Sequence, residues 1–246
     1  MTQLEKALAL RALHDAPEIL VLVNAWDVAS ARLVASLPGC RAVATASAAV
    51  SQSAGYPDGE VMPVDLVLAN LARICAAVDL PVTADLESGY GDVTGTVSEA
   101  IRVGAVGANI EDGMRPLDAS VEAVAEAVDA GRVAGVPFVL NARTDAYLID
   151  TGLTEEQKLG EAVARSRAYL AAGATCAFIP GVYDAPTIRA LVEGIGVGKV
   201  NILGAHGAPP PSELQAMGVT RVSFGPWGFR AALAEFGRYA EERLLP

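Results

Sequence analysis

"LPVTADLESGYGD" (residues 80–92) packs three signals into thirteen residues. An apolar run rich in strand formers ends on two carboxylates, Asp85 and Glu87, and a Gly89-Tyr90-Gly91 turn follows. The run is short and bounded by turn residues, which favours a strand over a helix. The same grammar recurs along the chain. "EILVLVNAW" (18–26), "RAVATAS" (41–47), "VGANIED" (106–112), "PFVLNARTD" (137–145), "CAFIPG" (176–181), "KVNILGAHG" (199–207) and "TRVSFGP" (220–226) are likewise apolar runs that finish in polar or glycine residues.

Between these runs lie alanine- and leucine-rich stretches with helical spacing, at 63–78, 118–134, 155–172 and 226–243. Strand and helix signals that alternate imply parallel strands joined by helical crossovers. Eight such units predict a single-domain (β/α)8 TIM-type barrel over residues 1–246. A doubly wound open sheet is the alternative, but the opening strand lacks the GxGxxG turn of a dinucleotide site. The stretch "SAAVSQSAGYPDGEVMP" (47–63) reads as a long loop on the active face. The N-terminal "MTQLEKALALRALH" reads as an amphipathic helix without the basic start of a signal peptide.

The chain has 246 residues, 52% of them hydrophobic, which is enough for a large core. Its net charge of −11 argues against nucleic-acid or anionic-membrane partners, which need a basic face. No apolar stretch is long enough to predict a membrane span. Cys40, Cys75 and Cys176 form no CxxC pair, so buried free thiols in a reducing cytoplasm are expected.

In a barrel of this kind the chemistry sits at the carboxyl ends of the strands. Those ends carry Asn24, Thr45 with Ser47, Asp85 with Glu87, Glu111 with Asp112, Arg143 with Asp145, and Asn201. Acids that converge at one mouth repel one another unless a cation compensates. Oxygen ligands without Cys or His select magnesium or manganese. Arg143 is suited to binding a substrate carboxylate bidentately. Trp26 reads as a pocket wall, His14 as a surface residue and His206 as a residue of the loop after the seventh strand. Asp145 is expected to orient Arg143 or cap a loop rather than to bind metal.

These motifs resemble the isocitrate lyase / phosphoenolpyruvate mutase superfamily over nearly the whole chain. The resemblance is carried by "NAWDVASARL" (24–33), "VATASAAVSQSAGYPDGE" (43–60), "ADLESGYGD" (84–92), "GANIEDG" (107–113) and "NARTDA" (141–146). It implies Mg2+ held by Asp85, directly or through water, with Glu87, Glu111 and Asp58 supporting the water shell. It implies that Arg143 binds the carboxylate of a 2-oxo or 2-hydroxy acid, that Thr45, Ala46 and Ser47 form a carboxylate cradle, and that Asn201 lines the pocket. A homo-oligomer, dimer or tetramer, with an exchanged C-terminal helix is also implied, although the ordinary reading of that helix is barrel closure.

The chain departs from the family pattern in "EDGMRPLDAS" (111–120), which is short and lacks the cysteine loop of the isocitrate and methylisocitrate lyases. Pro180 stands where the mutases carry a histidine. The expected activity is therefore a magnesium-dependent lyase or decarboxylase acting through a metal-stabilised enolate, with Asp58, Arg143 and Tyr90 as catalytic candidates. A phosphonopyruvate or phosphoenolpyruvate mutase or hydrolase, and a non-catalytic 2-oxo acid binding protein, are the alternatives.

Overall fold

The computed structural model describes residues 1–244. Nine parallel strands form one sheet. They are β1 (Leu20–Leu22), β2 (Asn24–Ala25), β3 (Val43–Thr45), β4 (Val82–Asp85), β5 (Gly107–Glu111), β6 (Val139–Arg143), β7 (Cys176–Ile179), β8 (Val200–Leu203) and β9 (Arg221–Ser223). β1 and β2 are two halves of one barrel strand separated by Val23. β1 pairs with β9 and β2 pairs with β3, and this closes the barrel. Carried past the last paired residues of β2 to β5, the register that starts at Leu20 comes back level with Val28, eight residues on and just beyond the first strand. That shift is the stagger of a (β/α)8 barrel.

The helices that coat the barrel follow from their apolar spacing. The helix Val93–Arg102 buries Val93, Val97, Ala100 and Ile101, one face at intervals of three and four. Each large side chain buried in this way contributes about 1.5–3 kcal/mol. Glu155–Ala171 begins at a capping box in which the Thr154 hydroxyl accepts from Gln157 N and the Gln157 side chain accepts from Thr154 N. The expected helices at 63–78 and 118–134 are Val64–Ala77 and Leu117–Val133. No described helix is long and apolar enough to cross a membrane.

Three expectations need correction. The first seven residues of the presumed loop 47–63 form a helix, Ser47–Ser53. His14 is buried rather than superficial. Its helix, Gln3–Asp15, plugs the barrel floor through Ala7, Leu10 and Leu13, and a Cβ on Gly107 would lie 3.0 Å from Leu10 Cδ2. The C-terminal helix, Trp227–Leu244, does not close the barrel. Phe229 is its buried anchor, edge-on to Trp26 with ring centroids 5.3 Å apart, while Leu233 and Phe236 are 53% and 66% exposed. The helix leaves the wall over the first strand bare, so Val21 and Val23 are 38% and 41% exposed.

Burial, reinforced by the nearby charge of Arg221, pushes the His14 imidazole down to about 3. Its Nδ1 lies 2.9 Å from Leu10 O, and a carbonyl only accepts, so this ring nitrogen carries the proton. In the unfolded chain the ring titrates near 6.5. Below that pH the unfolded state binds a proton that the native state refuses, so stability falls as pH drops from about 6.5 toward 3. We expect His14→Gln to reduce the loss of stability between pH 6.5 and pH 5 by about 2 kcal/mol in denaturant melts.

Candidate active site

The carboxyl ends of β4, β5 and β6 meet at one rim. Register places Asp85 beside Asn109 and Glu111 beside Arg143. Side chains alternate along a strand. Glu111 therefore faces the mouth, and Asp112 points the other way. Tyr169 Oη donates to Asp112 Oδ2 at 2.7 Å, and Arg165 Nη1 lies 3.2 Å from the same oxygen. Asp112 thus anchors the rim to the helix behind it.

Asp85 is held by the segment expected to cradle a carboxylate. Its amide donates to Thr45 Oγ1 at 2.9 Å, and Ser47 N donates to Asp85 Oδ2 at 2.9 Å. Ala46 between them is buried. Asp85 Oδ1 is buried and has no protein partner. Thr45, Ser47, Asp85 and Tyr90 share a pocket of about 10 Å3, room for one water.

The turn after β4 is strained and carefully held. Glu87, Gly89, Tyr90 and Gly91 all adopt positive φ. A Cβ on Gly89 would lie 2.6 Å from Val93 Cγ2, so only glycine fits there. Glu60, a residue the sequence reading passed over, organises this turn. Its Oε1 accepts from Ser88 N, Ser88 Oγ and Tyr90 N at 2.9, 2.7 and 2.7 Å. Its amide donates to Glu87 Oε2 at 2.5 Å, and Tyr90 Oη donates to Glu87 Oε1 at 2.6 Å. In the sequence Glu60 is one acid among loop residues, and nothing local marks it. Asp58, on the same loop, is exposed and near enough to act on the charge of Glu87.

Arg143 lies between two acids. Its Nη1 is 2.6 Å from Glu111 Oε2, and its Nε donates to Asp145 Oδ1 at 2.7 Å. Burial opposes the guanidinium charge, but Glu111, Asp145 and Asp85 together outweigh it. Burial pushes the Glu111 carboxyl up to about 8 against the pull of Arg143, with Asp145, Asp85 and Glu87 adding to the rise. Burial raises Glu87 too, opposed by the hydrogen bonds from Tyr90 and Glu60. The Tyr90 phenol is pushed upward by its own burial and by Glu87.

The other candidates make structural contacts around this group or away from it. Asn24 is a structural tie: Phe224 N and Gly225 N donate to its Oδ1 at 2.9 and 2.8 Å, and its Nδ2 donates to Thr45 O. Asn201 is fully buried in the barrel interior, with Nδ2 3.4 Å from Ser223 Oγ. Trp26 packs on Phe229, and His206 is exposed. Arg115 donates to the carbonyls of Asp112 and Glu111, pinning the short segment between β5 and the next helix. Burial pushes the Cys75 and Cys176 thiols up to about 12, so both stay protonated, while Cys40 is half-buried.

Among the described residues, no three Asp, Glu, His or Cys side chains converge as a ready-made metal cage. The donor set nonetheless fits a magnesium ion that keeps most of its waters. Such an ion needs one or two direct carboxylates, with others reached through water. Asp85 Oδ1 is the free direct donor, and Glu87 and Glu111 are already engaged at the periphery.

The family model for phosphoenolpyruvate phosphomutase matches residues 10–244. The oxaloacetate decarboxylase of Paraburkholderia xenovorans is 31% identical over 91% of this chain and 77% of its own length. A crystal structure from Burkholderia cenocepacia J2315, carrying a provisional phosphonomutase name, is 39% identical. It covers 98% of this chain and 99% of its own, with a TM-score of 0.90. An oxaloacetate acetylhydrolase in complex with 3,3-difluorooxalacetate is 25% identical over 97% of this chain and 86% of its own, with a TM-score of 0.86. The likeness spans nearly the whole chain, and the chain belongs to the phosphoenolpyruvate mutase/isocitrate lyase superfamily.

Proposed function

We propose that this protein is a magnesium-dependent carbon–carbon lyase of the decarboxylase type, acting on a small 2-oxo or 2-hydroxy di- or tricarboxylate. The observation that carries this reading is Asp85 Oδ1, a buried carboxylate oxygen with no protein partner at a rim crowded with acids. Superfamily members generally depend on a divalent metal. Asp85 would hold Mg2+, with Glu87, Glu111 and Asp58 around its waters, and Mn2+ suits the same oxygen donors. Once bound, the cation supplies positive charge against the negative charge that develops on the substrate keto oxygen as the bond breaks.

The protein's own groups do the rest. Asp145 and Glu111 hold Nε and Nη1 of Arg143, which leaves Nη2 to meet a substrate carboxylate. Glu111 gives way if that carboxylate takes both terminal nitrogens. Tyr90 keeps its proton and shares it with Glu87, so it is the candidate donor to the product carbon. Decarboxylation removes no hydroxyl proton and tolerates the short 112–116 segment. Cleavage of isocitrate or methylisocitrate needs an acid-base group that this segment lacks.

The likeness to the phosphonomutase-named structure supports a second reading, transfer or hydrolysis at a phosphonate. Pro180, buried after β7, offers no cation to a phosphoryl group, and this favours the lyase. Calorimetry decides between them when combined with release of pyruvate from oxaloacetate, methylisocitrate or phosphonopyruvate, release of glyoxylate from isocitrate, and phosphorus NMR of the conversion of phosphoenolpyruvate, each with and without Mg2+. We expect oxaloacetate to bind and react only with Mg2+, and isocitrate turnover to be lower by about 10²–10⁴-fold. Asp85→Ala should abolish the Mg2+-dependent heat and leave the circular-dichroism spectrum intact. Binding without turnover of any substrate would make the protein a 2-oxo acid binder, and no Mg2+-dependent heat at all would refute the site.

The same reading extends to assembly. The bare wall at Val21 and Val23 and the exposed Leu233 and Phe236 of the C-terminal helix are two apolar surfaces that the single chain leaves uncovered. A second copy that exchanges this helix would cover both, giving a dimer or a pair of dimers. We expect Phe236→Asp to shift the species seen by light scattering toward monomer; an unchanged monomeric mass in the unsubstituted protein would refute the exchange.

A further inference from the structure

Arg221 opens β9 and points into the barrel, where it is fully buried. Its Nη2 donates to Asn109 Oδ1 at 3.3 Å, and no carboxylate forms an ion pair with it among the described residues. Nε and Nη1 have no partner at all. A buried guanidinium so poorly satisfied is costly unless a compensating charge lies close by.

The interior around it is equally unusual. Seven of the eight buried side-chain polar atoms without a partner, among the described residues, belong to the barrel interior, its floor or its rim. Two are on Arg221. The others are His14 Nε2, Thr83 Oγ1, Asn141 Oδ1, Asn201 Oδ1 and Asp85 Oδ1. Donors and acceptors are mixed, which suits bridging water and disfavours a resident anion. Register shows where the column leads. Asn109, which Arg221 grips, is the strand partner of both Asp85 and Asn141. The guanidinium therefore lies beneath the rim, reaching toward the strand position beside Asp85.

We propose that Arg221 is a positioning residue, a built-in counter-cation beneath the rim that offsets the negative charge of Asp85 and its neighbouring carboxylates from inside the barrel. Burial pushes the guanidinium down to about 10, and Cys176 and then Asp85 act against that fall. The arrangement lets the acids share a rim before any divalent ion binds. It also sets an upper limit on metal affinity, because a fixed cation repels an incoming one, and it draws an anionic substrate toward the mouth. The metal-affinity consequence rests on the magnesium reading above; the pairing with Asp85 does not.

A thermal double-mutant cycle in chelator tests the pairing without metal. We expect Arg221→Met to lower the Tm by roughly 6–12 °C. Arg221→Met with Asp85→Asn should recover at least about half of that loss, because the second substitution removes the charge left uncompensated. Additive losses would mean that Arg221 only fills space, and would overturn the proposal. If Arg221→Met does not fold, Asp85→Asn alone is decisive. It relieves repulsion among the rim acids but strands Arg221, so a lower Tm in chelator supports the pairing and an equal or higher Tm overturns it. With the metal present, titration should show Mg2+ bound about three- to tenfold more tightly by Arg221→Met than by the unsubstituted protein, whereas Arg221→Lys keeps the original affinity. Weaker Mg2+ binding by Arg221→Met would contradict the counter-cation role. Absence of Mg2+ binding by the unsubstituted protein would refute the magnesium reading and leave the chelator cycle to decide the role of Arg221.

Discussion

Parallel strands in a closed barrel must all end at the same rim, and in this protein that geometry forces acids together. Asp85, Glu87 and Glu111 come from two neighbouring strands and share that rim with Arg143 and Asp145. Like charges brought this close in a partly dry site raise one another's proton affinity. The remainder of the site is a response to that crowding. Arg143 bridges two of the acids, Tyr90 and the Glu60 amide hold a third, and the Ser47 amide takes one oxygen of Asp85. Among the described residues Asp85 Oδ1 is the one buried carboxylate oxygen left without a partner, and on the magnesium reading it is the one that meets the cation.

The turn that follows β4 shows what such a site costs in backbone terms. Non-glycine residues in the left-handed region each cost about 1–2 kcal/mol, and Glu87 and Tyr90 are both there. Glu60 offsets this strain by taking three donors from Ser88 and Tyr90 on a single carboxylate oxygen. The loop that carries Glu60 is therefore part of the site's frame. Strain of this kind persists only where surrounding contacts over-determine the conformation, which is the case here.

The interior beneath the rim is as polar as the rim itself. Small barrels usually fill their interior with branched apolar side chains. Here Asn109, Asn141, Asn201, Thr83 and Arg221 occupy that space. The apolar core lies instead between the barrel wall and the surrounding helices, with a third apolar cluster under the N-terminal helix. That division separates the tasks. The outer layer supplies the burial that stabilises the fold, and the polar interior shapes the electric field at the mouth.

How much of this was legible in the sequence depends on the range of the interaction involved. The strands and the longest helices were, because apolar periodicity and turn residues are local and repeat eight times. The 80–92 stretch alone announced a strand, two acids and a turn that needs glycine, and the structure has all three. Rim membership was also legible, since in a parallel barrel every strand's carboxyl end faces the same side. What each rim residue touches was not. Asp112 and Glu111 are neighbours in the chain yet face opposite ways, and only the helix behind the rim shows that Asp112 is an anchor. Nothing local marks Glu60 or Arg221, and the sequence around His14 suggests a surface histidine. The closing role expected of the C-terminal helix failed for the same reason, because its apolar face is encoded locally but its partner is not. Local patterns determine which elements form. The packing of elements far apart in the chain decides which polar group lies beside which, and at this rim that decides the chemistry.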